Sequence, residues 1–211
     1  MSDQTRTART RPVIGLTGGI GVGKSTVAAL LAERGALIVD VDGVCRDVIE
    51  PGGGAHAALI ERFGPTMVNA EGRLDRAALG AKVFGDPQAL TDLTAISHPA
   101  ANLIMAERAD AHPDQLVVLD IAVLAEYPKL GRWPNGGYSK VLLVETALEV
   151  RLTRLVESRG MKREDALSRI AAQVDDEARR KLADSIIRND GDTDALRAQI
   201  DEAWPVIDSW R

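Results

Sequence analysis

Gly18-Gly19-Ile20-Gly21-Val22-Gly23-Lys24-Ser25 is a complete G-x-x-x-x-G-K-[ST] loop, and its flanks decide how the chain folds around it. The apolar run Val13-Ile14-Gly15-Leu16-Thr17 enters the loop as a buried strand does. Thr26 to Arg34 leaves it as a helix, with Val27, Leu30 and Leu31 at i, i+3 and i+4. Four glycines let the backbone approach a phosphate with no Cβ in the way, so successive N–H groups converge on its oxygens. The positive end of the helix dipole adds to that field. Lys24 is expected along the β- and γ-phosphates and the Ser25 hydroxyl on Mg²⁺. A nucleoside triphosphate is the expected ligand.

Further short apolar runs follow: Leu37-Ile38-Val39-Asp40-Val41, Leu116-Val117-Val118-Leu119, Val141-Leu142-Leu143-Val144 and Ser185-Ile186-Ile187. All read as strands buried on both faces, and helical patterns separate them. Strands alternating with helices imply an α/β fold, a P-loop NTPase-type parallel sheet flanked by helices, with ligands at the carboxyl ends of the strands. Two excursions interrupt the alternation. Residues from about 43 to 114 hold several helical stretches, broken at Pro51-Gly52-Gly53-Gly54, Gly64-Pro65, Asp86-Pro87 and His98-Pro99, and read as a helical subdomain over one side of the site. Residues from about 148 to 182, broken at Arg159-Gly160, read as a mobile helical lid. The core is then 12–42, 115–147 and 183–211, behind a disordered tail at 1–11. The segment Pro128-Lys129-Leu130-Gly131-Arg132-Trp133-Pro134-Asn135-Gly136-Gly137 reads as a surface loop without an evident role.

Composition narrows the class. The 211 residues are 45% apolar but only 3% aromatic, so the core must rest on Ala, Leu, Val and Ile. One cysteine, Cys45, excludes an intrachain disulfide and fits a reducing cytoplasm. No apolar run is long enough to span a bilayer, and residues 1–11 lack the apolar stretch of a signal peptide. A net charge of −5 gives no hint of nucleic acid, and the expected partner is a small-molecule substrate, with a monomer favoured. From Arg151 to Arg188, however, ten Lys/Arg stand against seven Asp/Glu, a basic stretch that suits a polyanionic small ligand or a solvated helical face.

Asp40-Val41-Asp42-Gly43-Val44-Cys45-Arg46 follows the second strand. Alternation along an extended strand sends Asp40 and Asp42 to one side, where one carboxylate can orient Mg²⁺ and the other accept a hydroxyl proton. Asp42 reads equally as the N-cap of a short helix. Asp40-Val41-Asp42-Gly43 also satisfies the D-x-x-G element of GTPase switches, but no Asn-Lys-x-Asp motif follows, which argues against a regulatory GTPase. Asp120 ends the third strand, where an acid commonly holds Mg²⁺ through water. His98 is either a satisfied structural residue or a donor to a phosphate or ribose oxygen. Arg151, Arg154 and Arg159 share a broad helical face, available to phosphate oxygens or to surface pairing with Glu149 and Glu157.

Taken in order, these residues resemble the dephospho-coenzyme A kinase family from about Val13 to Gln199. Ile14-Gly15-Leu16-Thr17-Gly18-Gly19-Ile20-Gly21, Gly23-Lys24-Ser25-Thr26, Asp40-Val41-Asp42 with Arg46, Leu74-Asp75-Arg76, Val83-Phe84 and His98-Pro99 come in family sequence. Arg151-Leu152, Arg154, Arg159, Arg169-Ile170 and Gln173 match the lid series, and Ala183-Asp184 and Asn189 fall where the family ends its core. The resemblance implies ATP-dependent phosphorylation of the ribose 3′-hydroxyl of dephospho-coenzyme A, with ATP as donor and Mg²⁺ as the metal. It makes 43–114 the acceptor-binding subdomain and Asp42 the base. Lys24 and Arg154 act with it in catalysis, and Gly18, Gly19, Ile20, Gly21, Val22, Gly23, Lys24, Ser25, Thr26, Arg154 and Arg159 bind ATP. Asp42, Arg46, Arg76 and His98 hold the acceptor, and Ser25, Asp40 and Asp120 surround the metal. Val22 departs from the usual Ser and Arg151 from a common Gln. Ile121-Ala122-Val123-Leu124-Ala125-Glu126 lacks the family's proline and aromatic, and 127–139 also runs differently, so the acceptor wall differs. A kinase of the same family with another hydroxyl acceptor, or a non-catalytic nucleotide-binding regulator, are the competing expectations.

Overall fold

Strands that alternate two apolar faces need helices on both sides, and the computed structural model, which describes residues 10–210, has that layering. In chain order its elements are β1 (Val13–Thr17), α1 (Lys24–Glu33), β2 (Leu37–Asp40), α2 (Val41–Asp47), α3 (His56–Phe63), α4 (Arg76–Phe84) and α5 (Pro87–Asp110). After these come β3 (Val117–Asp120), β4 (Arg132–Trp133), β5 (Gly136–Gly137), β6 (Lys140–Glu145), α6 (Leu148–Arg159), α7 (Arg163–Ala171), α8 (Asp176–Leu182), β7 (Ser185–Arg188) and α9 (Thr193–Ser209). The main sheet is parallel in the order β2-β3-β1-β6-β7. Its central strands β1, β3 and β6 are buried almost throughout, while the outer strands β2 and β7 are partly exposed.

The period-two rule assigns each side chain to a layer. Val13, Val117, Leu119 and Val141 face one core, which they share with Val44, Leu59, Leu79 and Met105 of α2 to α5. Ile14, Leu16, Val118, Leu142 and Val144 face the other, with Val27 and Leu31 of α1 and Ile200 and Ile207 of α9. The helical excursion thus shares its core with the sheet. A small third cluster, Leu152, Leu155 and Ala166 with Ile20, seats α6 and α7 on the glycine loop.

Four features differ from expectation. The second strand ends at Asp40, because Val41 already begins α2. His98-Pro99 does not break the chain: α5 runs through it, losing the one ladder bond that Pro99 cannot donate, while burial of Ala101, Met105 and Ala109 holds the helix. Pro128 to Gly137 is not a featureless loop but carries the antiparallel β4–β5 hairpin. Pro134 followed by Asn135 at φ 61° is the turn chemistry that closes it. Of the expected tail, residues 1–9 lie outside the described residues, but Thr10 and Arg11 are anchored. Their backbone N–H groups donate to the Pro113 carbonyl (3.2 and 3.3 Å), and Arg11 pairs with Asp208. Among the described residues no helix is long and apolar enough to cross a membrane.

Candidate active site

The glycine loop joins β1 to α1 as a set of open N–H groups. Gly21 (φ 81°) and Gly23 (φ 83°) occupy the left-handed region, and Gly23 caps α1 without a side chain. Among the described residues, the N–H groups of Gly21, Gly23, Lys24 and Ser25 make no hydrogen bond. Open donors in such a loop can hold an anion, as the motif predicts. The loop is held from outside: Val22 O accepts from Asn189 Nδ2 (2.8 Å) and Thr146 Oγ1 (3.1 Å), and Ile20 O from Arg151 Nε (3.0 Å). Ile20 N–H donates to Gln173 Oε1 (2.8 Å). The Val22 side chain is 2% exposed in the core beside α1, so a valine is accommodated there by packing.

Parallel register brings the carboxylates together. Asp40 pairs with Asp120 across β2 and β3, and Asp120 with Leu16 of β1, so the acids sit in one row at the carboxyl ends of the strands. Lys24 Nζ donates to Asp120 Oδ1. Burial lowers the Lys24 pKa, opposed by the charges of Asp42 and then Asp40. The expected strand alternation of Asp40 and Asp42 is corrected: Asp42 lies in the first turn of α2, and the capping residue is Asp40, not Asp42. Asp40 Oδ1 accepts from Gly43 N–H (2.9 Å) and Oδ2 pairs with Arg46 (3.3 Å). A Cβ on Gly43 would lie 2.6 Å from that carboxylate, so the D-x-x-G element is here a helix cap.

The remaining candidates divide among three places. Arg154 donates to Gly191 O (3.1 Å) and Asn189 Oδ1 (3.4 Å) and lines a cleft of about 200 Å³ with Gly23, Thr26, Asn189 and Thr193. His98 lines a cavity of about 680 Å³ with Asn102, Glu126, Tyr127, Arg132 and Trp133. Its ring meets Tyr127 edge-on at 5.0 Å, and burial lowers its pKa. Arg76 pairs with Glu50 (2.5 Å) in a different cleft, and Arg159 is exposed at the last residue of α6. Lys24, Asp40, Asp42 and Asp120 are therefore brought together with Arg46 beside them, whereas Arg76 and Arg159 are not. Thr146 gave no signal in the sequence, Asn189 and Gln173 were visible there only within the family series, and Arg151 was read there as one of three arginines on a helical face.

Residues 12–195 match the family described as dephospho-CoA kinase. The chain belongs to the dephospho-CoA kinase family. It is 47% identical, over 90% of its length, to the dephospho-CoA kinase of Frankia casuarinae, 81% of which is covered. Against the dephospho-CoA kinase of Corynebacterium glutamicum it is 42% identical over 89% of its length and 95% of that protein. A crystal structure of a Thermus thermophilus protein is similar at TM-score 0.78 and 35% identity, covering 93% of this chain and 98% of that one. The P-loop kinase sheet and loop are thus those of a dephospho-CoA kinase family member. The segment 121–139, expected from sequence to depart from the family pattern, supplies Glu126, Tyr127, Arg132 and Trp133 to the cavity beside His98.

Proposed function

We propose that the chain transfers the γ-phosphoryl group of ATP to the ribose 3′-hydroxyl of dephospho-coenzyme A, the last step of coenzyme A synthesis. The observation that carries the assignment of roles is the meeting of the Lys24 ammonium with Asp42, Asp40 and Asp120 beside the open N–H groups of the loop. ATP places its phosphates on Gly18 to Thr26 and its nucleoside toward the cleft by Arg154. Lys24 exchanges Asp120 for the β- and γ-phosphate oxygens. Asp42, with no hydrogen-bond partner in the described residues, is the carboxylate free to accept the acceptor's hydroxyl proton. Arg154, which lines that cleft, is assigned to the ATP phosphates.

Ser25, Asp40 and Asp120 offer only oxygen donors, the chemistry that Mg²⁺ takes. Among the described residues no group of three or more His, Cys, Asp or Glu could hold a metal unaided, and Mg²⁺ is commonly held by one or two carboxylates together with substrate phosphates. Asp40 is already engaged as a cap, which favours Asp120. When bound, Mg²⁺ would spread the negative charge of the phosphates. Arg46 and His98 are assigned to the acceptor. Arg76 is held by Glu50 in a separate cleft, away from both.

The test is to incubate the protein with Mg-ATP and dephospho-coenzyme A and identify coenzyme A by mass, with Asp42→Ala as control. Product that depends on Asp42 supports both assignments, and full activity in Asp42→Ala removes the base. The altered cavity wall favours one second reading, a family kinase for another hydroxyl acceptor. ATP turnover with other acceptors but not with dephospho-coenzyme A would select it.

A further inference from the structure

The groups that hold the phosphate loop come from the far side of the chain. Asn189, 5% exposed, donates from Nδ2 to Val22 O at 2.8 Å. Thr146 Oγ1 lies 3.1 Å from the same oxygen and 3.2 Å from Asn189 O, and its single proton serves one of them at a time. Among the described residues every peptide is trans. In a planar trans peptide the C=O of one residue and the N–H of the next point in opposite directions. A hydrogen bond that pulls Val22 O to the back of the loop therefore turns Gly23 N–H to the front. Arg151 Nε on Ile20 O does the same for Gly21 N–H. Glycine puts no side-chain barrier in the way of the alternative orientation, so the loop sequence does not choose between them. The supports are closely seated: a Cβ on Gly23 would lie 2.2 Å from Asn189 Nδ2, and one on Gly19 2.5 Å from Arg151 Nη2.

We infer that Asn189 is a positioning residue of the phosphate site. It fixes the Val22–Gly23 peptide so that Gly23 N–H faces the phosphates, with Thr146 in support and Arg151 acting likewise on the Ile20–Gly21 peptide. The inference rests on reading the loop as the ATP site. Asn189 also lines the cleft by Arg154, so its effect falls more heavily on polyphosphate binding than on the nucleoside.

Calorimetric titration of the full chain with inorganic tripolyphosphate, and separately with adenosine, tests this. The variants are Asn189→Leu, Thr146→Val, Thr146→Ser and Lys24→Met. Asn189→Leu is expected to weaken tripolyphosphate roughly tenfold, the value of about one hydrogen bond, and adenosine distinctly less. Thr146→Val is expected to show a smaller loss that Thr146→Ser restores, and it carries the test if Asn189→Leu does not fold. The Gly23 amide resonance should move on tripolyphosphate binding in the wild type and not in Asn189→Leu. Unchanged tripolyphosphate affinity in both Asn189→Leu and Thr146→Val, with Lys24→Met weakened, overturns the inference alone. Equal losses for adenosine and tripolyphosphate also overturn it, by placing Asn189 at the nucleoside or in general folding. Unchanged affinity in Lys24→Met as well overturns the reading of the loop.

Discussion

Lys24 is partly buried against Asp120, with Asp42 and Asp40 acting on its charge, so carboxylates hold the ammonium in place, and on the proposed function phosphates replace them. Lys24→Met should lower kcat by about 10²–10³-fold, the loss seen when one preorganised donor to developing charge is removed. Steady-state assay at saturating ATP measures it. Cys45 reports on the same neighbourhood. Burial first, then the negative charge of Asp42, push its thiol up to about 11, with Arg46 opposing. At pH 7.5 the thiol is protonated, and since the thiolate is the nucleophile, iodoacetamide should modify the native protein slowly. Intact mass should show fast alkylation only after urea unfolding, or as the pH approaches the shifted value.

At the scale of the element, α2 depends on the residue before it. Asp40 satisfies Gly43 N–H, and the helix it starts carries Asp42. Asp40→Ala should destabilise the protein by about 1 kcal/mol, while Asp40→Asn, also a good cap, should recover most of it. Urea midpoints for the two variants decide this. The β4–β5 hairpin is the element that shapes the cavity beside His98. Trp133→Ala should raise the KM for dephospho-coenzyme A several-fold, roughly the range expected when one buried apolar contact is lost, and leave the KM for ATP unchanged. Initial rates with each substrate varied in turn separate the two. The hairpin was legible in principle from Pro134-Asn135-Gly136, because that turn chemistry is local. The run of α5 through Pro99 was not, because burial of its apolar face outweighs one lost backbone bond.

Across the whole molecule, the α6 to α8 helices must return to the sheet, and Asp184 makes that junction. Its carboxylate accepts from Lys140 Nζ (2.8 Å) and Val141 N–H (2.9 Å), and its own N–H donates to Val141 O (2.9 Å). Burial alone would raise its pKa, but these bonds favour the charged form more and the pKa is lowered. The stabilisation is therefore complete above the unfolded value, about 3.9, and is lost as pH falls through the lower folded value. Thermal melts of Asp184→Asn should fall below wild type at pH 6, and the gap should close as the pH drops below about 4.

The glycine loop, the five strands and the two helical excursions were readable from sequence, because each rests on local chemistry or on a period of two or 3.6 residues. Which polar residues meet was not. Alternation placed Asp42 on an extended strand, whereas Asp40 closes the strand and caps a helix. Spacing set Arg151, Arg154 and Arg159 on one helical face, and the resemblance carried only Arg154 and Arg159 to ATP. Packing puts Arg151 and Arg154 against the loop and Asn189 and leaves Arg159 in solvent. Thr146 and Asn189 reach Val22 from 124 and 167 residues away. Such contacts follow from strand order and register, which bring the ends of β1, β6 and β7 side by side, and no local pattern encodes them.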